Sequence, residues 1–192
     1  TLPSWCYTTE AFYQRELEHI FLKQWNFAGR LDEIPDAGDY MVLDFCGESV
    51  IIIRGKDGVV RAFVNVCRHR SARLLDGRGH CRTIVCPYHS WVYGLDGTLT
   101  RMKGMEQTAN FDPDENGLMP LRLESWAGFL FVSFASEVIP LEEYLGDMTE
   151  QYASYRFADA VCVRRKSYDL KCNWKLYIEN AMEDYHTATV HR

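Results

Sequence analysis

This sequence lacks any stretch long and apolar enough to cross a bilayer. Its longest apolar run, residues 126–132, falls far short of the roughly 20 residues a membrane helix needs. Positive charge is scarce as well. The 21 Lys and Arg are outnumbered by 27 Asp and Glu, a net charge of −6, which argues against nucleic-acid or anionic-membrane partners. Thr1, Leu2, Pro3 and Ser4 contain no basic region leading into an apolar one, so a cytoplasmic location is expected rather than secretion. The seven cysteines (Cys6, Cys46, Cys67, Cys81, Cys86, Cys162 and Cys172) are odd in number and too sparse for a disulfide scaffold. Metal binding is the better expectation for such a set. With 47% hydrophobic and 14% aromatic residues the chain has material for a real core, and its 192 residues suit one domain or one and part of another.

The pattern predicts an α+β chain. Residues 8–25 read as an amphipathic helix, with Phe12, Leu17, Ile20, Phe21 and Trp25 near one face and Thr8 or Thr9 as its cap. From residue 40 the texture becomes short β-branched and aromatic runs: 40–45, 49–54, 59–65, 91–93, 98–101, 121–126 and 128–134. Gly47-Glu48, Gly55-Lys56-Asp57-Gly58 and Gly94-Leu95-Asp96-Gly97 supply hairpin chemistry. These runs predict an antiparallel β domain over 40–137. Residues 141–155 read as helix, 161–170 as strand and 174–186 as helix. The domains expected are a helical arm 1–39, the β domain 40–137 and the start of a further domain 138–192.

Two clusters of chemistry stand out. The first is Cys67-Arg68-His69 followed, after 16 positions, by Cys86-Pro87-Tyr88-His89. Four unrelated polar residues at this spacing inside one β region are hard to credit. A Cys2His2 zinc site is a second reading, yet zinc modules mostly pair cysteines with cysteines and histidines with histidines, whereas each loop here mixes the two. A Rieske [2Fe–2S] cluster uses mixed loops naturally, because two Cys hold one iron and two His the other.

Cys67-Arg68-His69-Arg70 and Cys86-Pro87-Tyr88-His89-Ser90-Trp91 resemble the paired cluster loops of Rieske proteins. The resemblance implies that Cys67 and Cys86 bind the buried iron, and His69 and His89 the outer one. Respiratory Rieske proteins carry an extra Cys in each loop, which these loops lack, so the pattern resembles the oxygenase or ferredoxin type. Cys81 is expected to serve packing, and His80 to be a solvated loop residue. Arg68, Arg70, Arg73, Arg78 and Arg82 make this segment basic. Charge compensation and a docking surface for an acidic electron donor are both open readings.

The second cluster is Glu183-Asp184-Tyr185-His186 with His191. On a helix Glu183 and His186 share a face, whereas Asp184 points away. His191 lies about 140° round an ideal helix from His186, so the helix must bend or end for both rings to meet one metal. The stretch from Asn173 onward resembles the mononuclear-iron motif of Rieske non-haem iron oxygenase alpha subunits. That resemblance implies His186 and His191 as two ligands of a 2-His-1-carboxylate Fe(II) site. It implies a third ligand, an Asp far downstream, so the chain is expected to be the N-terminal portion of a longer subunit whose catalytic domain is of an α/β, helix-grip-like kind. Glu179 is expected to buttress the helix. Glu183 stands where many members carry Asp, a variant that resembles the branch acting on quaternary ammonium compounds. Glu183 is implied to be the catalytic link between the mononuclear site and the Rieske His of a neighbouring subunit.

The resemblance implies a terminal oxygenase component. A reductase or ferredoxin would supply electrons, O2 and a small organic substrate, aromatic or quaternary ammonium, would be consumed, and the assembly would be a homotrimer or trimer-based. The rival is a stand-alone Rieske ferredoxin, which leaves Glu183, His186 and His191 idle. A zinc-stabilised interaction domain is the third reading.

Overall fold

The computed structural model describes residues 2–105 and 107–191. Along the chain lie α1 (Trp5–Thr8), α2 (Glu10–Glu16), a π-helical turn (Leu17–Phe21) and β1 (Asn26–Arg30). There follow β2 (Asp39–Phe45), β3 (Glu48–Arg54), β4 (Val60–Val64), β5 (Arg78–His80), β6 (Ile84–Val85), β7 (Val92–Tyr93), β8 (Leu99–Arg101), β9 (Pro120–Trp126) and β10 (Phe129–Ser133). The last elements are α3 (Leu141–Leu145), α4 (Met148–Gln151), α5 (Trp174–Ala181) and α6 (Thr187–Val190). They fall into two compact units: Phe21–Cys162, and residues 2–20 together with 163–191. No helix among the described residues is long and apolar enough to cross a membrane.

The contiguous unit is antiparallel β, as the sequence predicts. A seven-stranded sheet runs β1-β10-β9-β4-β3-β2-β5, and a three-stranded one runs β6-β7-β8. Strand β3 explains why the larger sheet is stable. Alternate side chains of a strand face opposite sides, and here both sides are covered. Ile51 and Ile53 enter a core with Phe63, Ile84, Trp91 and Tyr93. Val50 and Ile52 enter another with Ile34, Met41, Leu130 and Val132. Each such fully buried aliphatic side chain contributes about 1.5–3 kcal/mol.

The hairpins use the turn chemistry seen in the sequence. Phe45 pairs with Glu48 across Cys46 and Gly47, both at positive φ, so the two central residues are Cys46-Gly47 rather than Gly47-Glu48. Gly58 and Gly97 close matching turns: Gly58 N donates to Gly55 O, and Gly97 N donates to Gly94 O. At Gly97 (φ +88°) a Cβ would sit 2.5 Å from the Phe63 ring, so only glycine fits.

Several elements differ from expectation. The helix predicted over 8–25 breaks at Thr9, whose backbone is extended. Its Oγ1 donates to Trp5 O instead of capping α2. Strand β1 was not foreseen; Asn26–Arg30 alternates poorly and is recruited as an edge by β10. The helix predicted over 141–155 divides at Gly146, whose positive φ ends α3. Residues 161–170 form no strand among the described residues and are exposed, Val163 to 91%. A strand needs a neighbouring strand to pair its amides, and no strand pairing involves this segment among the described residues. The helix predicted over 174–186 ends at Ala181.

The unit of residues 2–20 and 163–191 is held by a buried ion pair. Lys175 Nζ lies 2.6 Å from Glu16 Oε1, with both side chains under a tenth exposed. Trp174 Nε1 donates to Glu16 Oε2 at 3.1 Å. The Lys175 ammonium sits 5.2–5.5 Å from the ring centres of Trp174, Phe12 and Tyr7, within cation–π range. Asn173 caps α5 by accepting from Lys175 N, and its Nδ2 donates to Tyr7 O. Tyr7 Oη donates to Glu179 Oε1 at 2.5 Å, which holds Tyr7 above its usual pKa.

Removing one partner of such a pair strands a buried charge. Lys175→Met is expected to cost about 3–5 kcal/mol of unfolding free energy. The double change Glu16→Leu with Lys175→Met should recover most of it. Chemical denaturation of the three proteins checks this, and a single-mutant loss below about 1 kcal/mol would mean the pair is solvated.

Candidate metal centres

The first sequence cluster occupies two loops built alike. One leaves β4 and the other joins β6 to β7. In the first, Cys67 N donates to Ala72 O, Ser71 N donates to Cys67 O, and Ser71 has positive φ. In the second, Cys86 N donates to Trp91 O, Ser90 N donates to Cys86 O, and Ser90 has positive φ. Each base is pinned by a β-bridge, Val66 with Arg73 and Val85 with Val92. Asn65, fully buried, locks the first loop: its Nδ2 donates to Ser49 Oγ and Leu75 O, and its Oδ1 accepts from Leu74 N and Leu75 N.

These loops place Cys67 and Cys86 in one core and His69 beside His89. Cys67 and Cys86 are buried within one core. The rings of His69 and His89 lie 4.7 Å apart, edge to face. Among the described residues only three buried side-chain polar atoms lack a hydrogen-bond partner: His69 Nδ1, His89 Nδ1 and Trp91 Nε1. Burial first, then the nearby His89 and Arg70 charges, hold His69 below the usual imidazole pKa. A neutral imidazole is the ligating form. No three His, Cys, Asp or Glu among the described residues gather as for a single metal ion. Two thiols and two orphaned imidazole nitrogens therefore fit a two-iron group, two ligands to each iron, better than one tetrahedral zinc.

Tyr93 escaped the sequence reading, and Trp91 entered it only as the end of the second loop motif, with no role. Tyr93 is fully buried, and its hydroxyl lies 3.3 Å from Cys67 Sγ. Arg68 N donates to the same oxygen at 3.0 Å, so the hydroxyl proton is free to go to the sulfur. Burial, then the Cys67 contact, raises the Tyr93 pKa, so the proton stays in place. The Trp91 ring lies parallel over His69 at 4.8 Å. Trp91, just before β7, and Tyr93, within it, enter the same core, and that period of two was the available signal.

Of the basic residues nearby, Arg73 forms a two-pronged pair with Asp44 and a second with Asp76, and Arg78 pairs with Glu33. Arg68 and Arg70, on either side of His69, are exposed. His80 pairs with Asp39 at 2.9 Å, and Cys81 packs against the core with its thiol pKa raised by burial.

The second sequence cluster lies beyond the end of α5. His186 precedes α6 and His191 follows it, with ring centres 5.3 Å apart. The break thus falls before both residues rather than between them, and the short α6 separates the two rings. Glu183 Oε1 meets His186 Nδ1 at 2.5 Å, and this contact lowers the Glu183 pKa. The contact arises in a turn rather than on a helix face. It leaves Nε2 as the free ring nitrogen of His186. The Asp184 carbonyl accepts from Thr187 N.

Residues 24–112 match the family described as Rieske [2Fe-2S] domain, and residues 157–192 match the family described as ring hydroxylating alpha subunit (catalytic domain). The carnitine monooxygenase oxygenase subunit of Escherichia coli (strain K12) is 36% identical over the whole chain and 52% of its own length. The glycine betaine monooxygenase oxygenase subunit of Pseudomonas aeruginosa is 36% identical over the whole chain and 44% of its own length. A solved quaternary ammonium Rieske monooxygenase in complex with L-carnitine superposes with a TM-score of 0.95 at 34% identity, over the whole of this chain and 55% of that one. The chain thus spans about half the length of the curated relatives it matches.

A hydroxyl that donates to a ligand sulfur stabilises the reduced, more negative cluster. Tyr93→Phe is expected to lower the cluster midpoint by roughly 40–60 mV, the one-electron equivalent of losing about 1–1.5 kcal/mol. Redox titration followed by visible or EPR spectra reads the shift, and an unchanged midpoint would mean the hydroxyl does not serve the sulfur.

Proposed function

The chain belongs to the Rieske-type oxygenase alpha subunits, and on that premise we propose that it forms part of a terminal oxygenase component acting on a small quaternary ammonium compound. Cys67 and Cys86 hold one iron of the [2Fe–2S] cluster, and His69 and His89 hold the other. His186 and His191 are two ligands of a mononuclear Fe(II), and residues 40–137 are the cluster domain. The single observation that carries this reading is the pair of buried, unpartnered Nδ1 atoms of His69 and His89, on the same two loops as two buried thiols.

When bound, the cluster supplies one-electron transfer and the mononuclear iron supplies open positions at which O2 is activated for hydroxylation or oxidative demethylation. The residues of the chain do the positioning. The twin loops expose the imidazole side of the cluster and bury the thiolate side. Glu183 accepts the Nδ1 proton of His186, which fixes the tautomer and leaves Nε2 for metal. A carboxylate can accept from two imidazoles at once, which supports the role that the family resemblance implies for Glu183: linking His186 to a cluster His of a neighbouring subunit in a trimer-based assembly.

The substrate class rests on the carnitine and glycine betaine relatives. An aromatic substrate is the second choice, supported by the ring-hydroxylating family match. A reductase or ferredoxin supplies the electrons. A cytoplasmic location is supported by the absence of any disulfide among the seven cysteines of the described residues. A stand-alone Rieske ferredoxin would leave the His186–His191 pair without work.

Iron analysis of the full-length protein is expected to give about three irons per chain, against about two for a carrier. Its midpoint should fall near −150 mV, the low end of the Rieske range, and a value clearly above zero would remove it from the oxygenase type. Glu183→Gln is expected to keep both centres loaded while nearly abolishing turnover, because an amide oxygen carries no charge to balance two N–H donors. Asp184→Asn should be far milder. The reverse ranking would make Asp184 the link.

A further inference from the structure

We propose that the Trp91 indole N–H donates a hydrogen bond to an inorganic sulfide of the [2Fe–2S] cluster, making Trp91 a positioning and tuning residue of that centre. The inference deepens the cluster reading above and rests on it. Indole nitrogen is a donor and nothing else. In Trp91 it is buried and unpartnered, so folding strips it of water and gives nothing in return. The other two orphaned atoms among the described residues are His69 Nδ1 and His89 Nδ1. Trp91 lies 4.8 Å from His69 with only 7° between the planes, so the three orphans belong to one site.

Their chemistries differ. The two imidazole nitrogens offer lone pairs and want a metal, whereas the indole offers a proton and wants an acceptor. A lone metal ion would satisfy the first two and leave the third stranded. A [2Fe–2S] group satisfies all three, because its bridging sulfides are acceptors. Trp91 stacks face to face on His69 with its N–H buried and unpartnered, so that N–H would lie close to a group held by His69. Phe111, edge-on at 5.6 Å, braces the indole from another side. Tyr93 already serves the Cys67 sulfur, so the two aromatic residues divide the sulfurs between ligand thiolate and inorganic sulfide. A donor to sulfide favours the reduced state and raises the midpoint.

The test uses the cluster-loaded protein with 15N-indole tryptophan. Trp91→Phe keeps an aromatic ring and deletes the donor. Replacement of Trp91 by 3-benzothienylalanine keeps the bicyclic shape as well, and covers the case in which the phenylalanine protein loads poorly. The expected result is a lowered midpoint in both. In the reduced unsubstituted protein, pulsed EPR should detect an exchangeable proton and a 15N coupling that both replacements remove. An unchanged midpoint in the benzothienyl protein, or no 15N coupling in the unsubstituted one, overturns the proposal while the Rieske spectrum stands. Absence of any Rieske spectrum in the unsubstituted protein overturns the cluster reading and this inference with it.

Discussion

The Asn65 carboxamide makes four hydrogen bonds at a fully buried position, to Ser49 Oγ, Leu75 O, Leu74 N and Leu75 N. The first cluster loop has no regular strand of its own and only the Val66–Arg73 bridge at its base. Asn65 therefore does for this loop what β6 and β7 do for the other. Cys67, two residues on, inherits its position from that clamp. The buried β3 strand inherits part of its setting too, since Asn65 N also bonds Ser49 O. A buried amide with its polar atoms paired is rigid, and rigidity is what a redox centre asks of its frame: ligands that need not move when an electron arrives.

The chemistry-bearing residues were legible because their identity and spacing alone restrict what they can do. Two loops each offering one Cys and one His leave few chemical readings, whatever the surrounding fold. The hairpin glycines were legible for a similar reason, since positive φ at Gly58 and Gly97 is a local demand. What escaped depended on partners distant in sequence. Strand β1 exists because β10 needs a neighbour. Tyr93 matters because Cys67, 26 positions earlier, meets its hydroxyl. The run 161–170 has strand-like residues but no neighbour among the described residues to make it one, and Thr9 spends its hydroxyl on Trp5 O rather than on a cap.

The arginines between the loops divide on the same principle. Arg73 and Arg78 are committed to Asp44, Asp76 and Glu33, which is charge compensation. Arg68 and Arg70 stand exposed beside His69 and have no ion pair among the described residues. An acidic protein thus keeps a small positive face at the imidazole end of the centre, where an approaching negative surface would be steered.

The Glu16–Lys175 pair joins residues 159 positions apart, and that separation imposes an order of events on the ribosome. The segment Phe21–Cys162 is contiguous, so the strands of its sheets can pair as soon as it emerges. The first helices emerge earliest, yet wait for Lys175. At ordinary translation speeds of about 5–20 residues per second the wait is roughly 8–30 s. Through that interval Tyr7 and Phe12 have no ammonium to surround and Glu16 no counter-charge. Residues 2–20 thus reach their native setting only after the segment that carries Lys175 has been made.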